Sequence, residues 1–302
     1  MLVDLENIKT ESRNEKTKNI DLLSEEEILR IINDEDKKVA FAVEKAIPEI
    51  TKLVKVVEKA IDNGGRLIYM GAGTSGRVGV IDAVECYPTF GVSNDEVMCL
   101  MAGGEKAFVK AQEGVEDDEK LAIDDLNKIN ITKNDVVVGI AASGRTPYVV
   151  SGCRYAKEKG AVTGCIVTTP DSILSKVCDI KIEAITGSEV ITGSTRMKSG
   201  TAQKMICNMI STAAMIKLGH VYQNLMIDVV PTNKKLVSRA INIIKEITGV
   251  TEEIAYEKFA KYKTVKHSLF SIMSGIDDEN KVNEIMEKNK QNLRKALENI
   301  NG

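Results

Sequence analysis

The sequence predicts an α/β fold: a doubly wound parallel sheet flanked by helices, with N-terminal helices before it and a small C-terminal helical domain after it. Three observations carry this expectation. Short apolar runs without polar alternation recur through the middle of the chain, as strands covered on both faces require. Each run leads into a glycine-rich turn or a helical segment, the rhythm of alternating strands and helices. Beyond Pro231 that punctuation stops and the chain is charge-rich and helically periodic to its end.

Residues 1 to about 22 are polar and aperiodic, so an arm ordered only by docking onto something else is expected. Ser24-Glu25-Glu26-Glu27 reads as a capping box that starts a helix. Apolar residues at helical spacing follow from Ala40 to about residue 61 (Phe41, Val43, Ala46, Ile47, Ile50), with Pro48 expected to kink or break the pattern. Asn63-Gly64-Gly65 ends it. The strand candidates are residues 66–70, 97–101, 136–140, 162–167 and 180–185, and a long helix is expected over 201–218. Gly249, Gly275 and Asp277-Asp278 mark breaks between the later helices. The expected division is residues 1–55 for the arm and first helices, 56–232 for the sheet domain and 233–302 for the helical domain.

A chain of 302 residues can bury one full α/β core with helical material to spare. A net charge of -3, with no basic stripe interleaved with aromatics, argues against nucleic acid as a partner. No run is long enough to span a bilayer, and the acidic start, Met1-Leu2-Val3-Asp4-Leu5-Glu6, is unlike a secretory signal, so a cytoplasmic protein is expected. The six cysteines (Cys86, Cys99, Cys153, Cys165, Cys178, Cys207) contain no Cys-x-x-Cys pair and read as reduced thiols. The two histidines, His220 and His267, lack a metal-like neighbour pattern and read as scaffold, so no metal site is expected.

In an open parallel sheet, ligands bind beyond the carboxyl ends of the strands, near the point where the strand order reverses. The first run enters Gly71-Ala72-Gly73-Thr74-Ser75-Gly76-Arg77, where glycines admit an anion to the backbone and a following helix offers free amides. The spacing matches a dinucleotide fingerprint. The second run, however, ends in Met101-Ala102-Gly103-Gly104 without the acidic residue a dinucleotide ribose needs. The hydroxyls of Thr74 and Ser75 suit a phosphate monoester better, with Gly73 as the point of close approach. A second such loop, Ala141-Ala142-Ser143-Gly144-Arg145-Thr146-Pro147, follows the third run, and Pro147 suits a first helical turn. Ser143, Gly144, Arg145 and Thr146 are its binding candidates, on the same crevice as the first loop. A third segment, residues 186–198, is dense in hydroxyls and sets Ser194, Arg196 and Lys198 near the start of the long helix, as another wall of a polar site.

Two acids stand near these loops. Glu85 precedes Pro88, which is expected to end the first loop's helix. A carboxylate near a helix C-terminus is disfavoured by the dipole, which tends to raise its pKa and suits a proton carrier. Glu116 lies in Glu113-Gly114-Val115-Glu116-Asp117-Asp118-Glu119, where spacing alone does not choose it over its neighbours.

Together, the 71–77 loop, Asp82-Ala83-Val84-Glu85-Cys86 with Pro88-Thr89, residues 136–148, Thr192-Gly193-Ser194-Thr195-Arg196-Met197-Lys198 with Gly200-Thr201-Ala202-Gln203-Lys204, and Asn224-Leu225-Met226 with Asp228-Val229-Val230 resemble the N-acetylmuramic acid 6-phosphate etherase family of the sugar isomerase (SIS) fold group. The resemblance covers the chain from about residue 20 to 250. It implies cleavage of the D-lactyl ether at C3 of N-acetylmuramic acid 6-phosphate, giving N-acetylglucosamine 6-phosphate and D-lactate, in the recycling or catabolism of cell-wall amino sugars. It assigns Glu85 as proton donor to the departing lactate and Glu116 as the second acid/base, with no metal or redox cofactor. It also implies a homodimer with the site at or near the subunit interface. An aldose-ketose isomerase and a non-catalytic sugar-phosphate sensor resembling the glucokinase regulatory protein would share the phosphate loops. The first needs no lactyl pocket and the second needs no acids.

Overall fold

Five apolar runs become five parallel strands. A computed structural model of the chain describes residues 9–110, 112–231 and 233–301, and the acidic start from Met1 to Glu6 lies outside the described residues. The strands are β1 (Leu67–Gly71), β2 (Val97–Met101), β3 (Val136–Ile140), β4 (Val162–Val167) and β5 (Ile180–Glu183), in the order β2-β1-β3-β4-β5. The order reverses between β1 and β3, which pair in parallel with Gly71 opposite Ile140. The two glycine-rich loops therefore leave neighbouring strand ends at the switch point, where backbones lie about 5 Å apart.

Contact density divides the chain into two units: Met1–Val84 with Asn94–Ser211, and Glu85–Ser93 with Thr212–Gly302. The boundary expected at 55/56 falls inside α1 (Glu25–Asp62), which runs unbroken for 38 residues across Pro48. Proline costs a helix one backbone hydrogen bond. The buried stripe of α1, from Val39 through Ile50 to Val57, outweighs that local loss. Leu53 of this stripe packs on Gly164 of β4, where an added Cβ would meet its methyl carbons at 3.0–3.1 Å.

The opposite face of the sheet is covered by α4 (Glu119–Lys128) and α5 (Pro147–Glu158). Both sides of this contact use glycine to bring backbone close. A Cβ on Gly152 of α5 would fall 2.4 Å from Met70 Cε, and one on Gly139 of β3 would fall 2.7 Å from Cys153 Sγ. The other helices of this unit are α2 (Gly73–Phe90), α3 (Gly104–Val109), α6 (Ile173–Val177) and α7 (Lys198–Leu218), and α2 and α7 run on into the second unit. From residue 9 onward the N-terminal arm forms 3-10 turns docked on the segment after β5. Thr17 Oγ1 donates to Val190 O at 2.8 Å, and Gly193 N donates to Thr10 O at 3.3 Å. All six cysteines are free thiols.

The second unit has a two-stranded hairpin, β6 (Val221–Tyr222) and β7 (Leu225–Met226), and the helices α8 (Lys234–Thr248), α9 (Glu252–Tyr262), α10 (Val265–Ser274), α11 (Glu279–Lys288) and α12 (Leu293–Asn301). The expected breaks are its caps. Gly249 and Gly275 end α8 and α10 in the left-handed conformation, and Asp278 starts α11 by accepting the Lys281 amide. Ile244, Phe259, Leu269, Phe270 and Met286 lie in its core. His220 is bound into this unit by Asp228, 2.8 Å from its Nδ1, and Lys266 pairs with the same carboxylate.

Candidate functional site

The first loop is shaped by two glycines that bring the end of β1 against the first turn of α2. A Cβ on Gly71 would lie 2.6 Å from Gly76 N, and one on Gly76 would lie 2.9 Å from Gly71 O. Gly73 begins the helix at φ +54° with open space where a Cβ would stand, so it gives the backbone clear access to a ligand. Thr74 and Ser75 are half-buried in this turn. Helix α2 is anchored within the sheet unit by Asp82, a buried carboxylate that accepts Tyr69 OH at 2.9 Å, Asn208 Nδ2 at 2.7 Å and Ser211 Oγ at 3.0 Å. Burial raises its pKa against the opposing effect of these three bonds.

The second loop is held from beneath. Ala142 O accepts Thr168 N at 3.0 Å and Thr168 Oγ1 at 3.1 Å, and Gly144 O accepts Leu174 N at 3.0 Å. Gly144 is required twice over, by φ +64° and by Ser172, whose Oγ would lie 2.2 Å from a Cβ. Thr146 takes the N-cap position of α5 without spending its hydroxyl on the helix. Ser143 is half-buried and Arg145 exposed.

The start of α7 ties the two loops together. Thr168 Oγ1 and Ser199 Oγ lie 2.9 Å apart in a hydrogen bond beneath the second loop, while Gln203 Oε1 accepts the Ser75 hydroxyl at 2.9 Å in the first. Gly200 faces Thr74, whose methyl would lie 3.3 Å from an added Cβ. The helix start is itself fixed by Glu189, fully buried, whose two oxygens accept the amides of Lys198 at 3.0 Å and Ser199 at 2.9 Å. An anion at a helix N-terminus is favoured by the dipole and by the free amides. Glu189 occupies those two amides, so they are not open to a ligand's anion.

This arrangement corrects one expectation. Lys198 does not face a ligand; it is 1% exposed and its Nζ lies 2.8 Å from Glu35 Oε2 on α1. Lys38 pairs with the other oxygen of Glu35. Burial alone would raise the Glu35 pKa, but the hydrogen bonds from Lys198 and Lys38 outweigh it and hold the carboxyl down at about 2. Ser194 stays half-buried and Arg196 exposed in the loop ahead of α7.

Glu116 sits on an exposed 3-10 turn, Val115–Asp117, after α3. A pocket of about 400 Å³ joins it to the first loop; Gly73, Arg77, Gln112, Glu113 and Glu116 are among its lining residues. That volume lies within the range of small-ligand sites, about 300–1,000 Å³. Arg77 is braced there by the carbonyls of Ala107 at 2.7 Å and Phe108 at 2.9 Å. Among the acids of the 113–119 run, Asp118 is spent as the N-cap of α4, accepting the Leu121 amide at 3.0 Å, whereas Glu113 and Glu116 face the pocket.

Glu85 is exposed on α2 and belongs to the second unit. Pro88 does not end this helix. It lies inside the last turn, and the stop is Gly91 at φ +69°, whose amide closes on Tyr87 O at 2.9 Å. Near the helix end the one backbone bond lost to Pro88 is a small cost. Three residues were not singled out in the sequence: Glu189, Gln203 and Glu113. Only Glu189 carries a local signal, an acid placed ahead of a long helix in a loop otherwise made of hydroxyls and glycines.

Comparison with known proteins places these features in a family. Residues 49–157 match the glucokinase regulatory protein N-terminal SIS domain, and residues 112–213 match the SIS domain. A protein of Clostridium botulinum named N-acetylmuramic acid 6-phosphate etherase is 53% identical over 300 residues, covering 99% of each chain. One of the same name from Bacillus mycoides is 53% identical over 270 residues, covering 89% of this chain and 92% of its own. In fold, the chain is similar to phosphoheptose isomerase of Neisseria gonorrhoeae, at a TM-score of 0.50 and 13% identity, over 63% of this chain and 98% of that one.

Proposed function

The chain belongs to the N-acetylmuramic acid 6-phosphate etherase family, and from that premise we propose that it cleaves the D-lactyl ether of N-acetylmuramic acid 6-phosphate to N-acetylglucosamine 6-phosphate and D-lactate. One observation supports it most: the first anion loop and Glu116 line a single pocket of sugar size. In the open-chain sugar the C1 aldehyde acidifies the proton on C2. A base removes that proton, the C3–O bond breaks, and an acid protonates the leaving oxygen so that lactate departs neutral at that atom. Water then adds at C3 of the unsaturated aldehyde while C2 regains a proton. The path needs two groups that exchange protons with the sugar.

In this reading Glu116 is one acid/base and Glu85 protonates the lactate oxygen. Gly73, Thr74, Ser75, Ser143, Gly144, Arg145 and Thr146 hold the phosphate, and Ser194 and Arg196 extend the polar wall. Glu85 lies ten residues beyond Ser75 on one helix, about 15 Å along its axis. One compact sugar does not span that rise, which favours a homodimer whose second subunit completes the site. Apolar surface supports pairing: Phe108 and Val109 are exposed and line, with Val80 and Leu100, a hollow of about 520 Å³. Among the described residues no helix is long and apolar enough to cross a membrane, and a cytoplasmic location fits a free sugar phosphate as substrate.

The match to the glucokinase regulatory protein SIS domain favours a second reading, a sensor that binds sugar phosphate without turnover. Release of D-lactate from N-acetylmuramic acid 6-phosphate separates the two. The folded protein is expected to release one D-lactate per N-acetylglucosamine 6-phosphate formed. Binding without lactate would leave the sensor.

A further inference from the structure

Gln203 is fully buried on the second turn of α7, and only half of its carboxamide has a partner. Oε1 accepts the Ser75 hydroxyl at 2.9 Å, while Nε2 is buried with no hydrogen bond. In this state the Ser75 proton is committed inward, and Ser75 Oγ has only lone pairs to offer a ligand. A phosphate monoester also presents acceptors, so the two would repel. Rotation of the carboxamide by half a turn exchanges the roles: Nε2 donates to Ser75 Oγ and the hydroxyl proton is freed to point outward. The two orientations occupy nearly the same volume and differ in which group lacks a partner. In the first state a donor group with two N–H bonds is stranded, and in the second a single carbonyl oxygen is.

We propose that Gln203 is a positioning residue for the phosphate of the substrate: its Nε2 donates to Ser75 Oγ, which in turn donates its proton to a phosphate oxygen. The proposal rests on the reading that the first loop takes the phosphate. Packing alone does not account for the placement, since an apolar side chain would fill the same space without stranding an amide. The rest of α7 is arranged so that this side chain cannot drift. Glu189 chelates the first amides, Lys198 is paired with Glu35, and Gly200 packs on Thr74, the residue beside Ser75.

The test is a double-mutant cycle on binding of N-acetylglucosamine 6-phosphate, measured by calorimetry on Ser75→Ala, Gln203→Met and the pair, with thermal midpoints to confirm folding. Each single change is expected to weaken binding by about tenfold, the scale of one lost hydrogen bond to a charged group. The pair should be no weaker than the worse single variant, because Gln203 acts through Ser75. Gln203→Glu keeps the shape and serves if Gln203→Met fails to fold. Its carboxylate captures the Ser75 proton, so binding should weaken at least as much. Equal losses from Gln203→Met with and without Ser75, or wild-type binding by Gln203→Glu, would overturn the proposal. If Ser75→Ala binds as wild type, the phosphate reading of the loop fails first and takes the proposal with it.

Discussion

Replacing Glu116 by Gln is expected to lower D-lactate release by about a hundredfold to ten-thousandfold, the usual contribution of a positioned acid/base group. Glutamine keeps the size and polarity of the side chain but can neither take nor give the proton. Glu116 is exposed on a short turn and its side chain makes no hydrogen bond or ion pair among the described residues, so the variant should unfold at the wild-type temperature. The two glycine loops proposed to hold the phosphate are untouched, and the affinity for N-acetylglucosamine 6-phosphate should stay within about twofold, since the loss falls on the transition state and not on uniform binding. Glu113 shares the pocket, and Glu113→Gln is the internal control. A small loss there against a large one at Glu116 separates proton transfer from a mere change of local charge.

The proposed homodimer gives this prediction a second arm. If Glu85 and Glu116 of one site come from different subunits, Glu85→Gln and Glu116→Gln are each inactive alone, yet mixing them restores turnover. Under random exchange half of the dimers are mixed, and each has one site with both glutamates, so recovery should approach about a quarter of wild-type activity in a two-fold symmetric dimer. Equimolar unfolding and refolding followed by the lactate assay measures it. No recovery would place both glutamates on one chain.

What the sequence made legible follows from the range of the forces involved. The apolar runs 97–101, 136–140 and 162–167 are strands at those bounds, because a strand buried on both faces must be apolar throughout. The glycine loops were equally plain, since close backbone approach and positive φ demand glycine locally, as at Gly144. Pro48 and Pro88 misled because local propensity was set against packing and helix-end geometry that span distant residues. The Lys198 side chain misled for a sharper reason. Its partner Glu35 is 163 positions away, and nothing near Lys198 in the chain marks it as buried. The Ser75 to Gln203 bond, 128 positions apart, is hidden in the same way. Within the 113–119 run, the pocket leaves Glu113 and Glu116 as the acids to weigh, and the capping role of Asp118 removes a neighbour that spacing alone had left open.

Glu35→Gln is expected to cost about 3–5 kcal/mol at neutral pH, the penalty for stranding a buried ammonium when one partner of an ion pair is removed. Glu35 and Lys198 are 4% and 1% exposed, so water cannot take the place of the lost carboxylate. The pH dependence identifies the cause. The folded carboxyl titrates at about 2 against an ordinary glutamate value of 4.5. At about 1.4 kcal/mol for each pH unit between the two values, its ionisation contributes on the order of 3 kcal/mol. Because the folded value is the depressed one, that stability is fully present above pH 4.5 and is lost as pH falls toward 2. By pH 3 more than half has gone. Denaturant unfolding of wild type and Glu35→Gln at pH 7, 4 and 3 should therefore show a gap that narrows as the solution is acidified, since protonated Glu35 and glutamine are alike in charge. Lys198→Met in the Glu35→Gln background should recover much of the loss at pH 7, because it removes the stranded cation. A gap that stays constant with pH would mean that shape, and not charge, holds α1 to the start of α7.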